Sequence, residues 1–224
     1  MDEKLCFSPG TDTTYSDLGF ILLGFLIEDI TGKSLDIFWK ENIAVPLGLD
    51  QELFFPKMNP IDPEVCVATR NCKEGDNLLT GVVHDHNCKA MGGVGGHAGL
   101  FGTAPAVLSF CEHIVEQFKG REKDPLYSPF LLIKLLERQV GSDWTFGFDT
   151  PAKNNSSSGI YFTKGSRGHL GFTGTSFWID FDRNIVIVVL TNRVHLSSDL
   201  EGIRKFRPLI HDTIMKELCG LREV

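Results

Sequence analysis

The run Gly168-His169-Leu170-Gly171-Phe172-Thr173-Gly174-Thr175-Ser176-Phe177-Trp178-Ile179-Asp180, carried on through Asp182-Arg183-Asn184 to Ile185-Val186-Ile187-Val188-Val189-Leu190, decides the fold. Phe177, Ile179 and Phe181 alternate with Ser176, Trp178 and Asp180, the two-residue period of a strand. Asp182-Arg183-Asn184 reads as a turn. Every residue from Ile185 to Leu190 is apolar, so both faces of this second strand are expected to be buried. The two strands therefore make an antiparallel pair expected in the middle of a sheet. Just upstream, Gly171 permits another molecule to lie close to the backbone, and the Phe172 amide is then placed to point at a developing oxyanion. A glycine-rich start to a strand, carrying a histidine satisfied within the fold, is the other reading of the same residues.

Helical periodicity surrounds this strand pair. Leu18, Ile21, Leu22, Phe25 and Leu26 recur at helical spacing, with Gly32 as a stop. Ser34 can cap a second helix that carries Leu35, Phe38, Trp39 and Ile43 and ends before Pro46. Residues 50–82 have weak periodicity and several prolines, and read as loop with short elements. Thr103 and Pro105 open a helix with Val107, Phe110, Cys111, Ile114 and Phe118 inward. Ser128-Pro129 opens another, through Leu136, before Gly141. Pro208 is expected to start a last helix with Leu209, Ile210, Ile214 and Leu218 on its inner side. Helices first, strands after them and a closing helix describe an α+β sandwich rather than a βαβ repeat.

The bulk numbers narrow the function. The chain of 224 residues is long enough for one sizeable core, and no linker divides it, so a single domain over 1–224 is expected. It is 42% hydrophobic and 23% charged, an ordinary globular balance. A net charge of −7 without a Lys/Arg cluster argues against nucleic acid as a partner. Phe20–Ile27 is too short to span a bilayer, and the acidic start Met1-Asp2-Glu3-Lys4 is unlike a signal peptide. No membrane span is expected; the compartment is read as cytoplasmic, or periplasmic if an N-terminal part is missing. The six cysteines, at 6, 66, 72, 88, 111 and 219, form no Cys-x-x-Cys pair and read as reduced and inert.

Candidate chemistry follows from a few short strings. No Gly-x-Ser-x-Gly elbow exists, and none of the thirteen lysines has a serine three residues before it. Thr213-Ile-Met-Lys216 comes nearest and reads as a surface pair on an amphipathic helix. Tyr15-Ser16-Asp17 precedes an apolar helix: Ser16 or Asp17 can cap it, and Tyr15 can serve as a general base or proton relay if cations adjoin it. In an extended segment His84, His86 and Cys88 would share one face, as zinc ligands do, with His97 as a candidate fourth. Buried histidines and an Asx turn at Asp85 are the preferred reading, and no metal or cofactor is expected. Gly92-Gly-Val-Gly-Gly-His97-Ala-Gly99 lacks the Gly-Lys-Ser/Thr of a phosphate loop and reads as a tight loop in a crowded place. Trp144, Phe146 and Phe148 are either pocket or core.

Phe7-Ser8-Pro9-Gly10 with Tyr15-Ser16-Asp17, Gly81-Val82-Val83-His84-Asp85-His86-Asn87, Gly92 to Ala104, Phe146-Gly147-Phe148-Asp149-Thr150-Pro151 and Gly168 to Ser176 run in order over nearly the whole chain. Together they resemble the class C β-lactamase and penicillin-binding-protein-like serine hydrolases and their esterase relatives. The resemblance implies a helical lobe and an antiparallel sheet flanked by helices. It implies that Tyr15 and Asp17 belong to the second family motif and His169 to the third, where Lys-Thr-Gly is usual. Tyr15 would assist proton transfer, His169 would polarise or orient substrate, and Gly171, Phe172 and Thr173 would bind substrate and its oxyanion. Histidine at 169 and aspartate at 17 look more like the esterase and peptidase-like branches than the lactamases. The Ser-x-x-Lys nucleophile motif lies upstream of the second motif in the family, and Met1 precedes Tyr15 by only a few residues, so the chain is expected to be a C-terminal part, inactive alone. Its partners would be a small-molecule or peptide substrate and either a second copy or an N-terminal partner fragment. A non-catalytic binding module that keeps the pocket is the alternative.

Overall fold

Residues 4–57, 61–62, 64–69, 79–122, 126–195 and 200–220 are described by the computed structural model of the chain. A sheet of three antiparallel strands lies at its centre. Strands β3 (Arg167–Leu170), β4 (Ser176–Asp180) and β5 (Ile185–Val189) stand in that order, with His169 opposite Phe177 and Trp178 opposite Ile187. The alternation read from the sequence sorts β4 onto two cores. Phe177, Ile179 and the adjoining Phe181 meet Cys111, Ile114, Val115, Leu132 and Leu136 of helices α4 (Ala104–Phe118) and α5 (Pro129–Leu136). Trp178 turns the other way, onto Phe162, Ile187 and Met215 of helix α6 (Glu201–Cys219). The result is helix, sheet, helix, with β4 buried on both faces.

The far end of β4 is fixed by a charge. Asp180 is wholly buried, and its carboxylate accepts from Thr163 N and Oγ1, from the Asp182 and Arg183 amides and from Arg183 Nη1, all between 3.0 and 3.1 Å. Five donors offset its desolvation and fasten the β4–β5 turn, in which Asn184 takes φ 57°.

The N-terminal third is lighter. Ser16 caps α1 (Asp17–Thr31) by accepting from Leu18 N, and Gly32 ends it in the left-handed region. Helix α2 (Leu35–Trp39) widens into a π-helical turn at Lys40–Ala44 ahead of Pro46. Strands β1 (Leu53–Phe54) and β2 (Phe101–Gly102) pair, and Trp39 Nε1 donates to Leu53 O at 3.0 Å. Helix α3 (His86–Ala90) leads into the glycine loop. That loop is as crowded as its composition suggests: a Cβ on Gly96 would strike the Phe20 carbonyl of α1. Thr103 caps α4 with Pro105 in its first turn.

Several expectations need correction. Among the described residues strand β5 has no strand beyond it, and its two faces are not both buried as its apolar run implies: only Ile187 is buried, and Leu190 is 41% exposed. Helix α6 begins at Glu201, so Pro208 sits inside it. Its inner stripe is Ile203, Arg207, His211 and Met215, while Leu209 and Leu218 are exposed. Hydrogen bonds hold both polar members, Arg207 through Nη2 and His211 through both ring nitrogens, and their four-residue spacing outranks the hydrophobicity of the neighbours. Phe118 is exposed, although its ring lies 4.7 Å from that of Phe181. On α1 only Ile21 and Gly24 are buried; Leu18, Leu22, Phe25 and Leu26 face outward.

Candidate active site

The second and third sequence motifs meet. Tyr15, just ahead of the α1 cap, places its ring 6.5 Å from His169 on β3 and 6.3 Å from Trp144. Its side chain stays open to solvent on one side. Partial burial, then the charges of Asp17 and Asp149, push its pKa above 10. The phenol therefore holds its proton at neutral pH. Its surroundings favour a proton donor or relay over a phenolate base.

Asp149 belongs to the same cluster. Its backbone pairs with Gly168 in both directions, at 2.7 and 3.1 Å, and so extends the sheet beyond β3. Burial pushes its carboxyl up, against the opposing pull of His169, the Trp144 indole N–H and Arg207. Gly168 itself has no alternative residue: a Cβ there would collide with the Trp178 ring and the Phe177 carbonyl on β4.

The turn at residues 171–175 is held from behind by its carbonyls. Arg207 Nη2 donates to Gly171 O at 2.5 Å and Thr175 O at 2.9 Å. Arg193 donates through Nε to Phe172 O at 2.7 Å and through its amide to Thr173 O at 2.8 Å. Thr191 Oγ1 donates to Gly174 O at 2.7 Å. All five carbonyls of the turn are thus engaged. The Phe172 and Thr173 amides make no hydrogen bond among the described residues. The exposed Phe172 ring lies 4.3 Å from the Arg193 guanidinium and 5.4 Å from His84, whose own neighbour is His86 at 6.3 Å.

Helix α6 braces the turn a second time. His211 donates from Nδ1 to Ser157 O at 2.9 Å, which leaves Nε2 to accept from Ser176 Oγ at 3.1 Å. Burial lowers the His211 pKa and keeps the ring neutral. Ser176 and His211 are both buried, so this pair is a joint and not a nucleophile and base.

The sequence-stated candidates fall into two groups. Tyr15, His169, Gly171, Phe172 and Thr173 come together, and Asp17 acts on Tyr15 through its charge; Ser16 supplies the helix cap. His84 and His86 stay neighbours, but helix α3 begins at His86 and breaks the extended geometry, and Cys88 turns its thiol to the Ala98 carbonyl instead. Cys88 is buried with Sγ 3.2 Å from Ala98 O, and burial then Asp85 push its thiol up to about 11. Asp85 caps α3 by accepting from Cys88 N and also takes His97 Nε2 at 2.9 Å. Among the described residues no three His, Cys, Asp or Glu side chains are placed to hold a metal ion. Cys72 lies outside the described residues. Of the aromatics, Trp144 joins the site, Phe148 packs edge-on to Phe177 and Phe146 is exposed. Arg207 and His211 were not anticipated. Their only signal is the four-residue spacing with Ile203 and Met215.

Comparison with known proteins gives the family and the fold. The β-lactamase family profile matches residues 1–209. A protein of Escherichia coli K12, provisionally named a D-alanyl-D-alanine carboxypeptidase, is 31% identical over an aligned length of 205 residues; the match covers 84% of this chain and 47% of that protein. The chain thus spans about half the length of the curated relatives it matches. A β-lactamase structure from Mycobacterium bovis superposes with a TM-score of 0.65 at 18% identity, covering 93% of this chain and 65% of its own. The octameric penicillin-binding protein homologue from Pyrococcus abyssi gives 0.65 at 19% identity, covering 96% and 44%. Among the described residues no helix is long and apolar enough to cross a membrane. With its ordered motifs, its helix–sheet–helix build and the match over most of its length, the chain belongs to the β-lactamase family.

Proposed function

We propose that these residues form the substrate-binding side of an acyl-transfer serine hydrolase acting on peptides of the D-alanyl-D-alanine type. The reading rests on one observation: Tyr15 lies beside His169, and the strand that carries His169 runs straight into a turn whose carbonyls are tied back. In the reaction a serine attacks the scissile carbonyl, an acyl-enzyme forms, and water releases it. The Phe172 and Thr173 amides receive the oxyanion. His169 orients the substrate. Tyr15 passes a proton to the leaving amine, a role that suits a phenol held in its protonated form. The names of the relatives support a peptide over an ester or a lactam.

The 224 residues contain no Ser-x-x-Lys, so we propose that the nucleophile comes from polypeptide outside them and that the chain alone turns over no substrate. The same fact supports a second reading, a binding module that holds peptide without cleaving it. Intact-mass measurement after incubation with a fluorescent phosphonate or with penicillin tests the first. No covalent adduct is expected on the chain alone; a stable adduct would refute the missing nucleophile. Co-expression with a Ser-x-x-Lys-bearing fragment of a relative should restore labelling on that fragment. Peptide binding with no labelling in the mixture would favour the module.

A further inference from the structure

A cavity of about 280 Å³ opens between α1, α2 and the glycine loop, away from Tyr15 and His169. It lies just below the usual range of ligand pockets, about 300–1,000 Å³, and suits only a small molecule. Its walls are Ile21, Phe25, Leu35, Met91 and Val94. Against this apolar surface stands one buried acid. Asp36 is 3% exposed, and its Oδ1 has no hydrogen-bond partner among the described residues. Its Oδ2 faces Lys57 Nζ at 3.9 Å, beyond hydrogen-bond length, from a lysine more than half exposed. Glu28, the other acid of the wall, accepts from Leu35 N at 2.9 Å.

A buried carboxylate without a hydrogen bond is costly, and so distant and solvated an ammonium compensates it poorly. What would compensate it is a cation brought close and shielded from water. Two acids do not make a metal site, and apart from Ser34 and Lys57 the remaining side chains of the walls are apolar. We infer that this cavity is a site for a small organic ammonium ion, its apolar body against Phe25, Leu35 and Val94 and its ammonium on Asp36. Lys57 competes with the ligand for the same carboxylate. The site is independent of the hydrolase reading and needs no nucleophile.

Calorimetric titration of the whole chain with phenethylammonium, 2-phenylethanol and phenylacetate tests this. Saturable phenethylammonium binding is expected, with the isosteric alcohol and the anion each weaker by about tenfold or more. Asp36→Asn should abolish the preference for the cation. Lys57→Ala, at a side chain more than half exposed, should tighten phenethylammonium binding several-fold and leave the alcohol unchanged. Equal binding of the alcohol, no saturation by the cation, or no gain in Lys57→Ala would each overturn the assignment. The Lys57 variant keeps the test decisive should Asp36→Asn fail to fold.

Discussion

Strand β4 and helix α1 are both apolar, and they meet opposite fates. The apolar residues of β4 all find neighbours, Phe177 and Ile179 on α4 and α5 from one side and Trp178 on α6 from the other. Helix α1 has seven large apolar residues exposed, Leu18, Phe20, Leu22, Leu23, Phe25, Leu26 and Ile30. The strand is surrounded by elements of its own chain; the helix meets α2 and the backbone of the glycine loop on one narrow stripe. An apolar residue is driven to leave water, but which residues succeed depends on what else the chain brings near.

The contrast breaks most readily by mutation. Trp178→Ala, at the contact of β4 with α6, should cost about 3–5 kcal/mol of stability, whereas Leu23→Ala on α1 should stay within about 0.5 kcal/mol. Denaturant midpoints of the two variants measure the difference. A loss of 2 kcal/mol or more at Leu23, about the cost of deleting a buried side chain, would mean that α1 is covered in solution. Arg207→Ala should cost about 1.5–3 kcal/mol, the range for hydrogen bonds to a charged donor. Arg207→Lys should recover only part of it, since a single ammonium cannot reproduce the planar fork.

The next test uses pH. Burial holds the His211 pKa below 6.5, so the unfolded state binds the proton more readily between the two values. Stability should therefore fall as pH drops through 6.5 and level off below the folded pKa. Asp149, raised above 3.8, contributes the opposite slope, so the difference between wild type and His211→Asn isolates the histidine. A parallel pH profile for the two proteins would show that His211 is not neutral in the fold. The smallest effect on stability is on the α1 surface: Leu22→Lys with Leu26→Lys should leave the midpoint within about 0.5 kcal/mol. It should abolish the concentration-dependent light scattering expected of the parent chain. A cooperative monomer at micromolar concentration in the unmutated protein would show that α1 needs no cover.

Much of the fold was legible. The period of Phe177, Ile179 and Phe181 and the caps at Ser16 and Thr103 depend on neighbours in sequence, and they stand as read. Tyr15 and His169 were legible as a pair because each lies in a short ordered motif. The misreadings concern packing partners. Pro208 resembles a helix start, but Glu201 to Arg207 form helix before it, with Ile203 buried and Arg207 reaching the turn. Arg207 and His211 could not be read as inward residues from polarity. Their burial depends on carbonyls of Gly171, Thr175 and Ser157, groups that every residue carries and no sequence pattern marks. For β5, an unbroken apolar run does not state how many neighbouring strands exist.

The Arg207 clasp joins a turn to a helix 36 residues further along the chain. Two stretches that share such a fastening cannot open separately. In hydrogen exchange, the Gly171 amide and the amides of the α6 turn around Arg207 should trade with solvent at one common rate, as a single opening unit. Loosening α6, by trimming its last turn or by a protease that nicks near Gly220, would then be read out at the oxyanion turn long before the sheet itself gave way.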